Sequence, residues 1–332
     1  MKLMKEFVPH RLLRNRHLMT AAPAFLRRSF PRLPPGEARL FEVEPRTQLR
    51  GHCNWQAEPR KHPTLLLVHG LEGSSDSAYI AGCAEKGFVA GLNVIRMNQR
   101  NCGGTERLTS TLYHSGRSAD FRAVVMELIQ RDALPEIFAA GFSMGGNLVL
   151  KMAGEFEDSA PEQLRGIAAV NPSLDLASCA DALGAPRNFI YNRHFVRRLK
   201  RRIRHKAACF PDIYMKDGWA RTVRRIDSVR EFDEKITAPF CGFAGADDYY
   251  ARSSAMRVIA AIRKPTLIIT AQDDPFVPFS SFGIAAIREN SNVQLVAPRH
   301  GGHCAFISNE DGPERFWAEA RLVEFCKENS KL

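Results

Sequence analysis

The chain has 332 residues, 45% of them hydrophobic, and a formal net charge of +11, so it can form one large α/β domain with an insertion or two small domains. It lacks the roughly 20 consecutive apolar residues of a membrane span, and its mixed, basic N-terminus lacks the apolar segment of a secretory signal. Because its eight cysteines are scattered, without a Cys-x-x-Cys pair or the clustered spacing of metal ligands, we expect reduced thiols in a cytoplasmic protein.

Short β-rich runs alternate with helical stretches along most of the chain. Continuous apolar strands that alternate with helices predict a mostly parallel sheet with helices on both faces. The alternation breaks between Pro172 and Pro265, where strand character is low and a helical lid is expected. We therefore predict an N-terminal arm at 1–40, a core at 41–171 and 266–332, and a basic, mostly helical lid at 172–265. The predicted strands are 64–68, 92–97, 137–142, 167–170, 266–270 and 293–297, and helical periodicity is clear at 118–131 and 147–157.

The strand at 137–142 leads into a Gly-x-Ser-x-Gly motif centred on Ser143 and followed by a helical stretch. A serine hydroxyl acts as a nucleophile only when it is exposed beside a base and hydrogen-bond donors for an oxyanion. A sharp strand-to-helix turn exposes the serine, and Gly141 and Gly145 leave room for that turn. We therefore predict that Ser143 is a catalytic nucleophile on a nucleophile elbow.

Two later loops contain a carboxylate and a histidine, in the order Ser, Asp, His of α/β-hydrolase triads. After the strand at 266–270, we predict Asp274 as the acid because it lies four residues before Pro278, and Asp273 is the alternative, better explained as a turn residue. After the strand at 293–297, we predict His303 as the base because two glycines precede it, with His300 as the alternative. A zinc site at the two histidines is disfavoured, since no carboxylate or cysteine cluster lies near them.

The loop His69-Gly70-Leu71-Glu72-Gly73 directly follows the strand at 64–68. An oxyanion hole in this arrangement uses one backbone N–H from the residue after the nucleophile and one from the loop after an early strand. We predict that the N–H groups of Met144 and Leu71 are these donors and that the Glu72 side chain points away. The competing interpretation is that His69 and Gly70 only end the strand.

Longer motifs in the chain resemble the YheT-like branch of the α/β-hydrolases, to which lipid-active ABHD-type enzymes of eukaryotes are related. The resemblance implies the α/β-hydrolase fold, hydrolase activity on carboxylic or lipid esters, and the roles of nucleophile for Ser143, acid for Asp274 and base for His303. No metal or organic cofactor is expected, since the triad supplies every proton transfer. The chain departs from the family at Asn101, where glycine is frequent, and just after the histidine at Cys304-Ala305. The matching stretches are 15–20, 69–77, 98–104, 112–116, 141–145, 230–250, 273–276 and 301–303.

One segment, 187–225, contains thirteen lysines or arginines and two acidic residues and so accounts for the whole net charge. Within it, an apolar helix face is predicted, with basic residues around the rest. Either this is an ordinary lid helix with solvated charges, or the lid contacts an anionic membrane surface or attracts anionic acyl substrates. Nucleic-acid binding is disfavoured because no binding motif accompanies the charge. The predicted apolar face consists of Ile190, Phe195, Val196, Leu199 and Ile203.

Together these patterns predict a serine hydrolase that cleaves small-molecule carboxylic esters, with short, medium or lipid acyl chains, through an acyl-enzyme. Acyl transfer to an acceptor other than water is a variant of this chemistry. The alternative is a catalytically idle protein of the same fold that binds anionic lipid or a partner through its basic lid.

Overall fold

Eight strands form one sheet at the centre of the computed structural model, which describes residues 5–332. Their order across the sheet is 1-2-4-3-5-6-7-8, with the first two strands antiparallel to their neighbours and the other strands parallel to one another. The predicted mostly parallel sheet is confirmed. The strands are β1 (Glu37–Glu44), β2 (Thr47–Asn54), β3 (Thr64–Val68), β4 (Asn93–Met97), β5 (Ile137–Phe142), β6 (Leu164–Val170), β7 (Thr266–Ile269) and β8 (Val293–Val296).

The hairpin of β1 and β2 is absent from the sequence-based prediction. Its strands have charged and polar side chains at alternate positions, and β1 lies at the edge of the sheet with only Phe41 fully buried. Half-buried edge strands lack the continuous apolar runs on which the other six strands were predicted. The predicted boundary of the N-terminal arm at residue 40 is therefore inside β1, and residues 37–40 belong to the sheet.

Helices cover both faces of the sheet, because side chains of each buried strand alternate between two apolar layers. Leu65 and Leu67 of β3 point to the layer formed with α2 and α13, whereas Leu66 and Val68 point to the layer formed with α3 and α4. The helices are α1 (Arg16–Ala21), α2 (Ala78–Val89), α3 (Ser118–Gln130), α4 (Met144–Phe156), α5 (Leu176–Gly184), α6 (Phe189–Cys209), α7 (Pro211–Tyr214), α8 (Trp219–Arg225), α9 (Val229–Phe232), α10 (Ala238–Cys241), α11 (Ala246–Ser253), α12 (Ala285–Arg288) and α13 (Trp317–Asn329), with a π-helical turn at Asp233–Thr237.

Between β6 and β7 the chain forms helices and turns, from α5 to α11. The longest of these, α6, buries Val196, Leu199 and Ile203 as predicted, but Ile190 is 78% exposed. Ile190 lies nine residues, or about two and a half turns, before Leu199, so it is on the side of α6 opposite to the buried face. In the part of the chain that the structure describes, no helix combines the length and apolar character that a membrane span requires.

The first residues of the predicted arm, 1–4, lie outside the described part of the chain. From residue 5 onward, the segment packs against the C-terminal region: Phe7 contacts the rings of Phe306 and Trp317. Arg28 forms a buried ion pair with Glu319 of α13 at 2.6 Å. These contacts bring the two ends of the chain together beside the carboxyl ends of β7 and β8.

Candidate active site

Ser143 occupies the sharp turn between β5 and α4, with φ 53° and ψ −120°. Such a left-handed conformation is strained for a residue other than glycine and occurs mainly where the surrounding structure enforces it. Gly141 and Gly145 permit the turn here, because a Cβ on Gly141 would collide with the Gly145 backbone and one on Gly145 with the Val68 carbonyl group. The turn leaves Ser143 partly exposed at the wall of an internal cavity.

His303 and Asp274 are joined by a hydrogen bond of 2.7 Å from ring Nδ1 to carboxylate Oδ2. The other oxygen of Asp274, Oδ1, accepts the backbone N–H groups of Phe276 and Val277 at 3.0 and 2.9 Å. These donors fix the carboxylate, whose side chain is fully buried. Burial disfavours the charged imidazole, but the negative charge of Asp274 outweighs it and raises the pKa of His303 above its ordinary value.

Ser143 lines the cavity, and His303 is linked to it through the ring of Phe276. Within residues 5–332, no hydrogen bond joins Ser143 to His303. Phe276 packs on the His303 ring, with centroids 4.1 Å apart, and lines the same cavity as Ser143. The structure thus pairs two of the three predicted catalytic residues and places the third on the cavity beside them.

The two alternative residues, Asp273 and His300, form a separate pair. His300 Nδ1 lies 3.3 Å from Asp273 Oδ2, and its side chain is 43% exposed. Asp273 Oδ1 also accepts the N–H of Gly302 at 3.0 Å. This pair supports the loop before His303 from outside, which is a structural role. Among the described residues, no group of three or more histidine, cysteine or acidic side chains is arranged to hold a metal ion.

Two backbone N–H groups flank the serine, those of Leu71 and Met144. Both residues line the cavity with Ser143. Met144 is the first residue of α4, so its N–H has no partner within the helix. In the described part of the chain, neither N–H donates to another protein group. Unpaired donors beside a serine can stabilise an oxyanion.

The cavity has mainly apolar walls, and the helices between β6 and β7 form much of them. Its volume of about 110 Å³ is several times the ~10–15 Å³ that one water molecule needs, so a small acyl group can enter. A partly buried carboxylate, that of Asp233, also lies on the wall, and desolvation of its charged form raises its pKa to about 6. The apolar lining includes Leu71, Leu112, Leu176, Phe195, Leu199 and Phe276.

Two further residues support the His303 loop and escaped the sequence-based prediction. Asn171, at the carboxyl end of β6, donates through Nδ2 to Asp274 Oδ2 and to the Gly302 carbonyl oxygen. Thr20 in the N-terminal segment accepts the backbone N–H of His303 on its hydroxyl oxygen at 2.9 Å. The sequence did contain a signal for each residue. Asn171 directly follows a predicted core strand, and Thr20 belongs to the family-like stretch 15–20.

Known proteins resemble this chain in sequence. Residues 63–212 match a family model described as the alpha/beta hydrolase fold. The YheT protein of Escherichia coli (strain K12) is 31% identical over 96% of this chain and 92% of its own length. Phospholipase ABHD3 of Mus musculus is 30% identical over 74% of this chain, which spans only 58% of that protein. The monoacylglycerol lipase of Saccharomyces cerevisiae is 28% identical over 80% of this chain and 59% of its own length.

Solved structures agree in fold. The Pyrococcus furiosus esterase Pf2001 superimposes with a TM-score of 0.60 at 16% identity, over 98% of this chain and 99% of its own. Est1E from Butyrivibrio proteoclasticus gives 0.55 at 17% identity, over 88% of this chain and 99% of its own. These likenesses confirm the predicted α/β-hydrolase fold. The near full-length match to YheT at 31% identity establishes that the chain belongs to the YheT-like family of α/β-hydrolases.

Proposed function

We propose that this protein, a carboxylic ester hydrolase, cleaves its substrates with a catalytic triad of Ser143, His303 and Asp274. The hydrogen bond from His303 Nδ1 to Asp274 supports this proposal most directly. With its proton on Nδ1, the neutral ring keeps Nε2 free to accept a proton from a serine hydroxyl.

In the proposed reaction, Ser143 Oγ attacks the ester carbonyl carbon while His303 Nε2 takes the hydroxyl proton. The Leu71 and Met144 N–H groups donate to the oxyanion of the tetrahedral intermediate. Collapse of the intermediate breaks the bond to the alcohol, which leaves with the proton from His303 and gives an acyl-enzyme. A water molecule, deprotonated by His303, then attacks the acyl carbon and releases the acid.

Electrostatics support this division of roles. The buried Asp274 carboxylate stabilises the imidazolium that forms when His303 takes the proton, which is the physical meaning of the raised pKa of His303. Each oxyanion donor is worth about 3–4 kcal/mol in hydrolases of this type, because the donors are fixed before charge develops.

We propose small-molecule acyl esters as substrates, with a short or medium acyl chain or the acyl chain of a lipid. The apolar cavity wall beside Ser143 favours an alkyl chain over a polar group at that position. The helical insertion at 172–265 acts as the lid in this proposal, because Phe195, Leu199 and Ile203 of α6 cover the cavity.

Contact of the lid with an anionic membrane surface is a second proposal, favoured by the outer face of α6. Among the described residues, Arg193, Arg197, Arg201 and Arg204 have no ion-pair partner. Phe189 and Ile190 at the start of the helix are 59% and 78% exposed. Exposed apolar side chains beside unpaired cations are the pattern of interfacial helices.

Cosedimentation with vesicles tests the membrane contact. We expect binding to vesicles with phosphatidylserine and none to vesicles of phosphatidylcholine alone, and we expect Phe189→Ser with Ile190→Ser to weaken it. Equal binding to both vesicle types contradicts the proposal.

A cytoplasmic location, which we also propose, is checked by cell fractionation.

Fluorophosphonate labelling of the wild-type protein and of Ser143→Ala tests the catalytic proposal. We expect labelling and turnover of p-nitrophenyl esters to disappear together in the variant, with turnover reduced on the order of 10⁶-fold. Esters of increasing chain length then rank the acyl preference, and added alcohols reveal transfer to acceptors other than water. A folded wild-type protein that does not react would favour the idle, lipid-binding alternative.

A further inference from the structure

The Leu71 N–H lies in a tight turn whose last central residue is strained. The N–H of Gly73 donates to the carbonyl oxygen of Gly70 at 3.1 Å and closes the turn around Leu71 and Glu72. Glu72 has φ 60°, at the turn position where glycine is usually found. A glutamate there is disfavoured, so contacts of its own must hold it in place.

Those contacts come from the lid helix α6 and from Tyr113. The Glu72 carboxylate is buried and accepts Arg202 Nε at 2.6 Å and the Tyr113 hydroxyl at 2.5 Å. The Glu72 carbonyl oxygen accepts Nη2 of Arg198 at 2.6 Å. A buried carboxylate needs such partners, since desolvation of an unpaired charge is costly. The residue next to Leu71 is thus held by two arginines of one helix.

Arg202 also binds the neighbouring loop. Its Nη1 donates to the Asn101 carbonyl oxygen, and its guanidinium lies over the Tyr113 ring, 5.6 Å from the centroid. On the opposite side of the turn, the N–H of Gly70 donates to the Tyr79 hydroxyl at 3.0 Å. The turn is therefore fixed from the core by Tyr79 and from the lid by Arg202.

We propose that Glu72 and Arg202 are positioning residues, which hold the Leu71 N–H in the oxyanion hole through the docking of α6 on the turn. This inference rests on the proposed serine hydrolase function, in which Leu71 is an oxyanion donor. It also gives the lid a role in catalysis besides covering the cavity, because the hole is complete only while α6 is docked.

Four variants test the proposal on a soluble p-nitrophenyl ester: Glu72→Gln, Glu72→Gly, Arg202→Met and Arg202→Lys. Removal of a whole oxyanion donor costs about 10²–10³ in kcat, so a displaced donor is expected to cost about 10–100-fold, with KM within about twofold. Glu72→Gly is the most informative change, because it relieves the strain of the turn while it removes the side-chain contacts to Arg202 and Tyr113. Arg202→Lys is expected to restore part of the kcat that Arg202→Met loses.

Two inhibitors separate positioning from a merely structural role. A trifluoromethyl ketone forms a tetrahedral adduct with an oxyanion, whereas an amide with the same acyl chain stays planar. We expect the Glu72 variants to lose affinity for the ketone by the factor lost in kcat and to keep their affinity for the amide. Arg263→Gln, which removes an arginine from an exposed ion pair with Asp158, is the matched control and is expected to behave as wild type.

Unchanged kcat in Glu72→Gly and Glu72→Gln overturns the proposal, and so does an equal loss of affinity for both inhibitors together with a lower Tm. If Arg202→Met does not fold, Glu72→Gly decides, because it removes the oxygen that accepts both Arg202 Nε and the Tyr113 hydroxyl, whereas Glu72→Gln keeps that acceptor and removes only the charge. The proposed function is tested separately. A wild-type protein that fluorophosphonate does not label would overturn the function. If the wild-type protein is labelled and the Glu72 variants keep full turnover, only this inference is overturned.

Discussion

Replacement of Asp274 by asparagine tests how the buried carboxylate controls His303. In the wild-type protein, Oδ2 accepts the His303 ring N–H and an amide proton of Asn171, while Oδ1 accepts two backbone N–H groups. An asparagine side chain has an NH₂ group in place of one of these two oxygens. In either orientation of the amide, that NH₂ group lies against two N–H donors and can accept neither of them. If the NH₂ group faces His303, the ring takes the tautomer with its proton on Nε2 and cannot accept the proton of Ser143.

We expect Asp274→Asn to lower kcat about 10⁴-fold, equivalent to about 5.5 kcal/mol of transition-state stabilisation. The pH profile supplies an independent check. The neutral imidazole is the active form, so turnover rises with pH through the pKa of His303. Because Asp274 raises that pKa, the acid limb of the wild-type profile lies above that of an ordinary histidine, and we expect it to move to lower pH in the variant.

The assay is kcat and kcat/KM on a p-nitrophenyl ester between pH 5 and 10, with thermal unfolding of both proteins as the control for folding. Asp273→Asn is the matched variant, since it removes a neighbouring carboxylate that does not contact His303. Retention of more than about a tenth of wild-type turnover, or an acid limb that does not move, would refute the assignment of Asp274.

Three further outcomes are expected. Asn171→Ala removes two buried hydrogen bonds around Asp274, so we expect about tenfold lower kcat and a lower Tm, measured by ester turnover and thermal unfolding. Thr20→Val keeps the side-chain shape but removes the acceptor of the His303 N–H; kcat should fall several-fold, about 2–10-fold, while Thr20→Ser should restore it. Burial raises the pKa of Asp233 from 3.8 to about 6, so the folded state binds the proton more tightly than the unfolded state and stability falls as pH rises from about 4 to 6. Asp233→Asn should therefore be the more stable protein at pH 8, by about 1–3 kcal/mol in urea unfolding, with a flatter pH dependence, and a less stable variant at pH 8 would contradict this explanation.

The sequence was sufficient for those parts of the fold that depend on local pattern. Strands buried on both faces are continuous apolar runs, and β3 and β5 were predicted with their observed ends. The turn around Ser143 needs glycine at two fixed positions, so adjacent residues of the sequence are enough to predict it. In the structure His303 is hydrogen-bonded to Asp274 and His300 to Asp273, and the assignment of Asp274 as the acid stays a prediction.

Local sequence patterns could not predict the contacts between distant segments of the chain. Asn171 and Thr20 lie 103 and 283 residues from the partners they support, and neither residue type identifies its partner. The β1–β2 hairpin was missed for a different reason, since its charged side chains face solvent at the edge of the sheet. The exposure of Ile190 has another cause: the residue lies about two and a half turns before Leu199, so its inclusion in the predicted apolar face was wrong.

The bond between Thr20 and His303 links almost the first and almost the last parts of the chain. During synthesis on the ribosome, Ser143 emerges with its strand and helix long before the base does, and the base has its support only after the final strand has joined the sheet. Closing so long a loop is slow compared with local folding. In the proposed mechanism, a nascent or truncated chain therefore lacks the base that activates Ser143, and esterase turnover would report completed folding.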